Sequence, residues 1–292
     1  MQLTWHKVGA NIWLHQGKPD TLSTPVNHGH ISNVVFVLDR ASSGARGWLV
    51  GSGPDAKTGR ALACSVRLDL GYQVTDVVST RAHPESVLGA AGLAHARHWA
   101  LREVQAAMSE RCARCLGRLE TAVNAASPLV ERVALPDTLI KEKQLGPFDV
   151  MAVRVQPQQS VALLHHRASD VWILPGVVWG RDLVPDLREA EALPLLRILD
   201  VLALLTPVRI VPEQGAADDG TLLQHNRAYW TRLLDALNTR WYQGENQPGS
   251  ASGLTPAEWA QADADTRLRD QLNVQRAWQQ IENDGFEDQA PR

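Results

Sequence analysis

Short apolar runs alternate along the chain with stretches of helical periodicity. NIWLHQG, SNVVFVLDR and GWLVGSG are rich in Val, Ile, Leu and aromatics and are divided by Gly, Ser, Asn and Pro, which predicts strands joined by turns. ASSGARG, between Arg40 and Trp48, reads as a hairpin connection. From Asp55 to about Asp69 the residues Ala61, Leu62, Cys64, Ser65 and Leu68 fall at helical spacing, and Gly71 follows as a stop. DVVST is the next strand, and an Ala- and Leu-rich stretch from Val87 to about Ala125 predicts a long helix that includes His95 and His98 at a spacing of i, i+3.

FDVMAVRV, SVALLHH and DVWILPGVVW predict three further strands, Glu189 to Leu205 a helix, and VRIVPEQG a short buried strand running into a loop. A helix carrying Tyr229, Trp230, Leu233, Leu234 and Leu237 follows. After the polar linker GENQPGSASG, Thr255 is placed to cap a last helix, with Pro256 at its first position and Glu258 three residues after the cap; its end frays from Asn283. Strands and helices alternate to about residue 125 and again to about 243, which predicts an α/β (α+β) fold of two face-to-face sheets with helices outside. We read residues 1–243 as one domain and 244–292 as a linker and C-terminal helix packed on it.

Composition narrows the function classes. With 29 basic and 32 acidic residues the 292-residue chain carries a formal charge of −3, so it has no general attraction for nucleic acid or for an anionic membrane. MQLTWHKVGA lacks an apolar run of signal-peptide length, which predicts a cytoplasmic location. The most apolar stretch, EALPLLRILDVLALLTPVRIVP, is broken by Pro194, Arg197, Asp200 and Pro207 and reads as a core helix and strand, not a membrane span. The three cysteines, Cys64, Cys112 and Cys115, fit a reducing compartment. Ten tryptophans against three phenylalanines put Trp230, Trp241, Trp259 and Trp278 forward as anchors of the C-terminal helices on the body or on a second subunit, so a monomer or a homodimer is expected.

Between Trp13 and Gly215 a set of landmarks recurs in a characteristic order: WLVGSGP after a strand, STRAHPE at a strand end, then HHRASDVW, ILPGVVW and IVPEQG. In that order the chain resembles the metallo-β-lactamase-fold hydrolases, and TPVNHGHISN, RCARCLGRLE and NVQRAW resemble the branch that accompanies sulfur-oxidation or quinoprotein dehydrogenase systems. The resemblance implies a four-layer αββα sandwich. It also implies a His-x-His-x-Asp-His loop, two further histidines and a bridging aspartate holding two zinc ions, which lower the pKa of a water for attack on an ester, thioester or amide carbonyl.

Carried over position by position, the loop's first histidine is Arg81, its second His83, its aspartate Glu85 and its third histidine Ser86. The histidine before DVWIL is His166, the bridging aspartate Val177 and the last histidine Gln214, while the supporting Asp-Thr-Gly is Gly51, Ser52 and Gly53. Only His83 and His166 stay as unaltered ligands, with Glu85 a chemically acceptable replacement; Arg81 offers no lone pair and sets a positive charge where a metal would sit. The expectation is a degenerate member with no catalytic residue and no zinc cofactor, acting as a binding or accessory protein for a protein partner or a small anion that Arg81, beside His83 and His166, would hold.

Two other readings follow from the same residues. If His28 or His30 swings inward to join His83, His166 and Glu85, a single-zinc site is rebuilt in a pocket with Arg81, Ser86, Val177 and Gln214, and the chain is a divergent ester or thioester hydrolase. Cys112 and Cys115 form a C-x-x-C pair that would serve a thiol redox helper, although mid-helix placement favours packing. His165 and His166 are neighbours on a strand and point to opposite faces; the resemblance selects His166 for the pocket.

Overall fold

The computed structural model describes residues 3–18, 30–40, 44–188 and 190–289, with the side chains of 285–289 left aside. Among them, two sheets form the centre. The first holds β1 (His6–Gly9), β2 (Ile12–His15), β3 (Val34–Asp39), β4 (Arg46–Val50), β5 (Asp76–Ser79), β6 (Arg97–Ala100) and β7 (Thr138–Leu139) in chain order, antiparallel as far as β4 and parallel from there. The second holds β8 (Gln144–Leu145), β9 (Phe148–Gln156), β10 (Gln159–His166), β11 (Val171–Leu174) and β12 (Arg209–Pro212), with β11 and β12 parallel and the other pairs antiparallel.

The alternation along each strand builds the layers. In β3, Val35 and Val37 point between the sheets, where they meet Ala162 and Leu164 of β10 and Ile173 of β11. Val34, Phe36 and Leu38 point outward onto α1 (Ala56–Ser65). On the far side, Leu163, Trp172 and Ile210 face α4 (Ala192–Leu204), α5 (Thr221–Tyr242) and α7 (Ala264–Gln289). This is the four-layer αββα sandwich with a C-terminal helical extension.

Local chemistry sets the element ends. Asp55 caps α1 through a bond from Thr58 N (2.7 Å), and a π-helical turn, Val66–Leu70, carries the helix to Gly71, whose φ of +78° ends it. The expected capping box is present at α6 (Pro256–Gln261), where Thr255 and Glu258 bond each other's backbone N–H groups. The single helix expected there is two, because Ala262 is extended and Asp263 accepts a new cap bond from Thr266 N (2.7 Å). The last helix, α7, runs from Ala264 to Gln289.

The helix expected over Val87–Ala125 is a 3₁₀ turn (Leu88–Gly92), strand β6 and helix α3 (Arg102–Ala122). His98 therefore lies on a strand, buried and bonded to Ser79 Oγ (2.7 Å), and shares no helix face with His95. The run RHWA is too short for periodicity to separate it from a flanking helix; pairing with β5 decides it. Cys112 is buried in the inter-sheet core and Cys115 is half-buried, both midway along α3, which is the packing arrangement.

The C-terminal extension is held by polar bonds as well as apolar ones. Val274, Ala277 and Trp278 pack with Trp230 and Leu233 of α5, which makes Trp230 and Trp278 core residues. Beside them fully buried Asp270 accepts from Tyr229 Oη (2.8 Å), Ser252 Oγ (2.7 Å) and Gly253 N (3.1 Å). Asp270→Ala strands these donors and is expected to lower stability by about 3 kcal/mol in urea unfolding, with Asp270→Asn costing less because one acceptor remains.

Candidate functional site

The loop after β5 and the loop after β12 come from different sheets and meet at one end of the sandwich. Thr80 O accepts from Ala162 N (2.8 Å), which fixes Arg81 over the start of β10. Pro84 opens a short helix, α2 (Pro84–Val87), and His83 before it is extended, as the residue preceding proline prefers. Its Nδ1 lies 2.5 Å from Glu85 Oε2. Ser86 is spent locally: its Oγ bonds His83 O (3.0 Å), and its carbonyl accepts from Ser52 N (2.7 Å).

Arg81 is paired. Its Nη2 lies 3.0 Å from Oε1 of Glu213, a residue with a side chain only 2% exposed. Glu213 also accepts from Ser32 Oγ (2.5 Å) and Gly176 N (3.0 Å). Gly176 has φ +69°, and a Cβ there would stand 3.0 Å from Arg81 Cδ, so glycine lets the chain pass close over the guanidinium. Burial alone would push the Glu213 carboxyl up, but Arg81, then His83 and the Ser32 hydroxyl, hold it below its ordinary value. For Glu85, burial is likewise outweighed by His83 and Arg188, and its pKa falls to about 2.

A second carboxylate closes the site from above. Asp186 bonds Arg188 through Nε (2.6 Å) and N (2.9 Å), and Arg276 and Arg269 of α7 stand 3.4 and 3.9 Å away. Asn273 of α7 pins the same loop through Leu187 N (3.0 Å) and Pro185 O (2.6 Å). The space left among Arg81, His83, Trp179, Asp186, Arg188 and Glu213 is a cavity of about 10 Å³, room for no more than roughly one water.

The other expected site residues are dispersed. His166 lies opposite Val171 at the start of β11, whereas Arg81 and Gly176 lie beyond the end of β11. There His166 bonds Ser169 Oγ (2.6 Å) and packs on the edge of Phe148. The strand runs opposite to the direction the ligand assignment needs, so Gln159 and Ser160, not His166, line a pocket with Arg81. Val177 is fully buried in the apolar core outside the second sheet. Gln214 is buried beside the cavity, and its carbonyl accepts from Gly180 N (2.8 Å). His28 lies outside the described residues. His30 does not join His83: its Nε2 is 2.8 Å from Nε2 of His15, whose Nδ1 donates to Thr4 O (2.9 Å). Burial and then His15 lower the His30 pKa to about 4.

These donors do not fit zinc. Among the described residues no group of three or more His, Cys, Asp or Glu side chains is placed to hold a metal ion. The residues that sequence reasoning passed over are Glu213, Asp186, Arg188, Arg269 and Arg276. Glu213 carried a signal, since an acid directly after a buried apolar strand needs a partner. The arginines of α7 carried none, being some 80 to 90 residues from Asp186.

No family model matches the chain, and no curated protein matches it. Solved structures do. The metallo-beta-lactamase from Pontibacter korlensis aligns with 79% of this chain and 99% of its own at 14% identity and a TM-score of 0.62. DIM-1 metallo-beta-lactamase, exposed to ceftazidime, covers 79% of this chain and 97% of its own at 16% identity and a TM-score of 0.60. FIM-1 from Pseudomonas aeruginosa, in its mono-zinc form, covers 78% and 94% at 13% identity and 0.59. At these identities the likeness establishes a metallo-β-lactamase fold.

Two outcomes follow from the charges. Arg81→Met leaves Glu213 buried without its cation and is expected to cost about 3 to 5 kcal/mol in chemical denaturation, most of it recovered by adding Glu213→Gln. Stability also falls on acidification, in two stages. His30, kept neutral when folded, contributes fully above its ordinary 6.5 and loses this as pH falls to about 4. Glu85 contributes fully above its ordinary 4.5 and loses this toward about 2. Urea midpoints across pH check both stages, and Glu85→Gln reduces the second, to which Glu213 and Asp186 also contribute.

Proposed function

We propose that this chain is a catalytically degenerate metallo-β-lactamase-fold protein with a binding or accessory role in place of metal-dependent hydrolysis. The observation that carries the reading is the buried Arg81–Glu213 pair: a guanidinium stands where the resemblance requires a metal-binding imidazole, and its counterion is provided by the chain itself. A hydrolytic zinc centre keeps an open coordination position for water, whereas the carboxylate oxygens of Glu213 are engaged by Arg81, Ser32 and Gly176. The mono-zinc state of FIM-1 finds no counterpart here, because His83 and Glu85 lack a third donor among the described residues.

The resemblance to the branch that accompanies sulfur-oxidation and quinoprotein dehydrogenase systems supports a redox protein as the partner served, in the cytoplasm. Among the described residues no helix is long and apolar enough to cross a membrane. A small anion is the weaker ligand class, because Arg81 is paired with Glu213, Arg188 and Arg269 are paired with Asp186, and the space beside them holds about one water.

Elemental analysis after dialysis against zinc, with His83→Ala and Glu85→Ala beside the wild type, tests the reading. Metal well below one equivalent in all three proteins, and no hydrolysis of ester, thioester or β-lactam substrates, is the expected result. Stoichiometric zinc that disappears in His83→Ala would overturn it.

A further inference from the structure

Helix α4 is apolar on two opposite sides. Ala192, Leu195, Leu199 and Leu202 are buried against the second sheet and α5. Leu193, Arg197, Asp200 and Leu204 are spaced by four, three and four residues, which on a helix draws one straight line about 16 Å long. At 100° per residue that line lies roughly opposite Leu195 and Leu202. Leu193 is 44% exposed, Leu204 83% and the flanking Val201 51%, and the apolar surface continues past the helix end through Leu205 and Val208. Together these five side chains expose on the order of 500 Å², near the upper limit for a single-chain surface. A stable dimer buries about 800 Å² per partner, and this patch together with the charges between its apolar ends approaches that figure.

We propose that α4 is a homodimer interface, with α4 of one chain lying antiparallel across α4 of a second copy about a two-fold axis between Ile198 and Leu199. The case for a second copy is the order of the stripe. An antiparallel two-fold at that point sets Leu193 against the second copy's Leu204 and Arg197 against its Asp200. Apolar, cation, anion, apolar is thus its own complement, which an isologous contact requires. A foreign surface would have to match that order; a second copy supplies it by symmetry. Arg227 of α5 bonds Asp200 through Oδ1 and holds its carboxylate on this face. The inference is independent of the function proposed above, since α4 contributes nothing to the Arg81 cluster.

Sedimentation velocity of the full chain over a range of concentrations is the test. The wild type is expected to dimerise, and Leu204→Glu to weaken the dimer by roughly thirtyfold or more, as burial of an unpaired charge against Leu193 of the second copy does. Arg197→Glu sets like charges against Asp200 across both halves of the two-fold, as does Asp200→Lys made together with Arg227→Gln; each alone is expected to weaken the dimer about tenfold. Their equimolar mixture restores a heterodimer, because each cation then meets an anion. Arg197, Leu204 and Arg227 are exposed and Asp200 is half-buried at the surface, so unchanged circular dichroism and thermal melts accompany the loss. A wild type that stays monomeric throughout, a dimer indifferent to Leu204→Glu, or a mixture that associates no better than its components would overturn the interface.

Discussion

A charge taken out of water must be matched where it lies, and in this protein that constraint acts on the Arg81–Glu213 pair. Glu213 follows the last strand of one sheet and Arg81 follows a strand of the other, so their contact ties the two sheets at one end of the sandwich. Desolvating both ions costs several kcal/mol each, and the return comes only because the remaining bonds are also made. Ser32 and Gly176 provide them for Glu213, while Asn33 clasps the same segment through Pro212 O and Gly215 O. Each partner holds the other in place, and the loops that carry them inherit that rigidity.

The same electrostatics extends outward. Asp186 rests under Arg188, Arg269 and Arg276, and two of these arginines come from the C-terminal extension. Burial raises the cost of the Asp186 charge, but Arg188 and Arg269 more than offset it and its pKa is lowered. The extension therefore does more than cover an apolar face: it fixes the loop that closes the cavity. A hydrolytic centre depends on polar groups left open toward a ligand, and here they are turned toward one another.

Two sequence expectations fail for one physical reason, that a strand's direction and partners are long-range properties. SVALLHH was read as a strand and is one, yet its pairing with β11 brings Gln159 toward the site and carries His166 away. RHWA was absorbed into a helix because four residues hold too little periodicity, and the parallel ladder to β5 makes it a strand. The side chain of His30 rests on His15 through their Nε2 atoms, and burial lowers the pKa of both imidazoles.

Alternation of period two, helix caps at Asp55 and Thr255, and the succession of strands and helices are local quantities; they predict two packed sheets with helices outside, and the family resemblance implied the four-layer order. Local too was the loss of ligand chemistry: an arginine at position 81 and a valine at 177 bind no zinc in any fold. What replaced that chemistry was not local. Glu213 reaches Arg81 from more than a hundred residues away, and Arg269 and Arg276 reach Asp186 across most of the C-terminal third. Pairing of buried charges is settled by which chain ends the packed sheets bring together, and that is a property of the folded molecule.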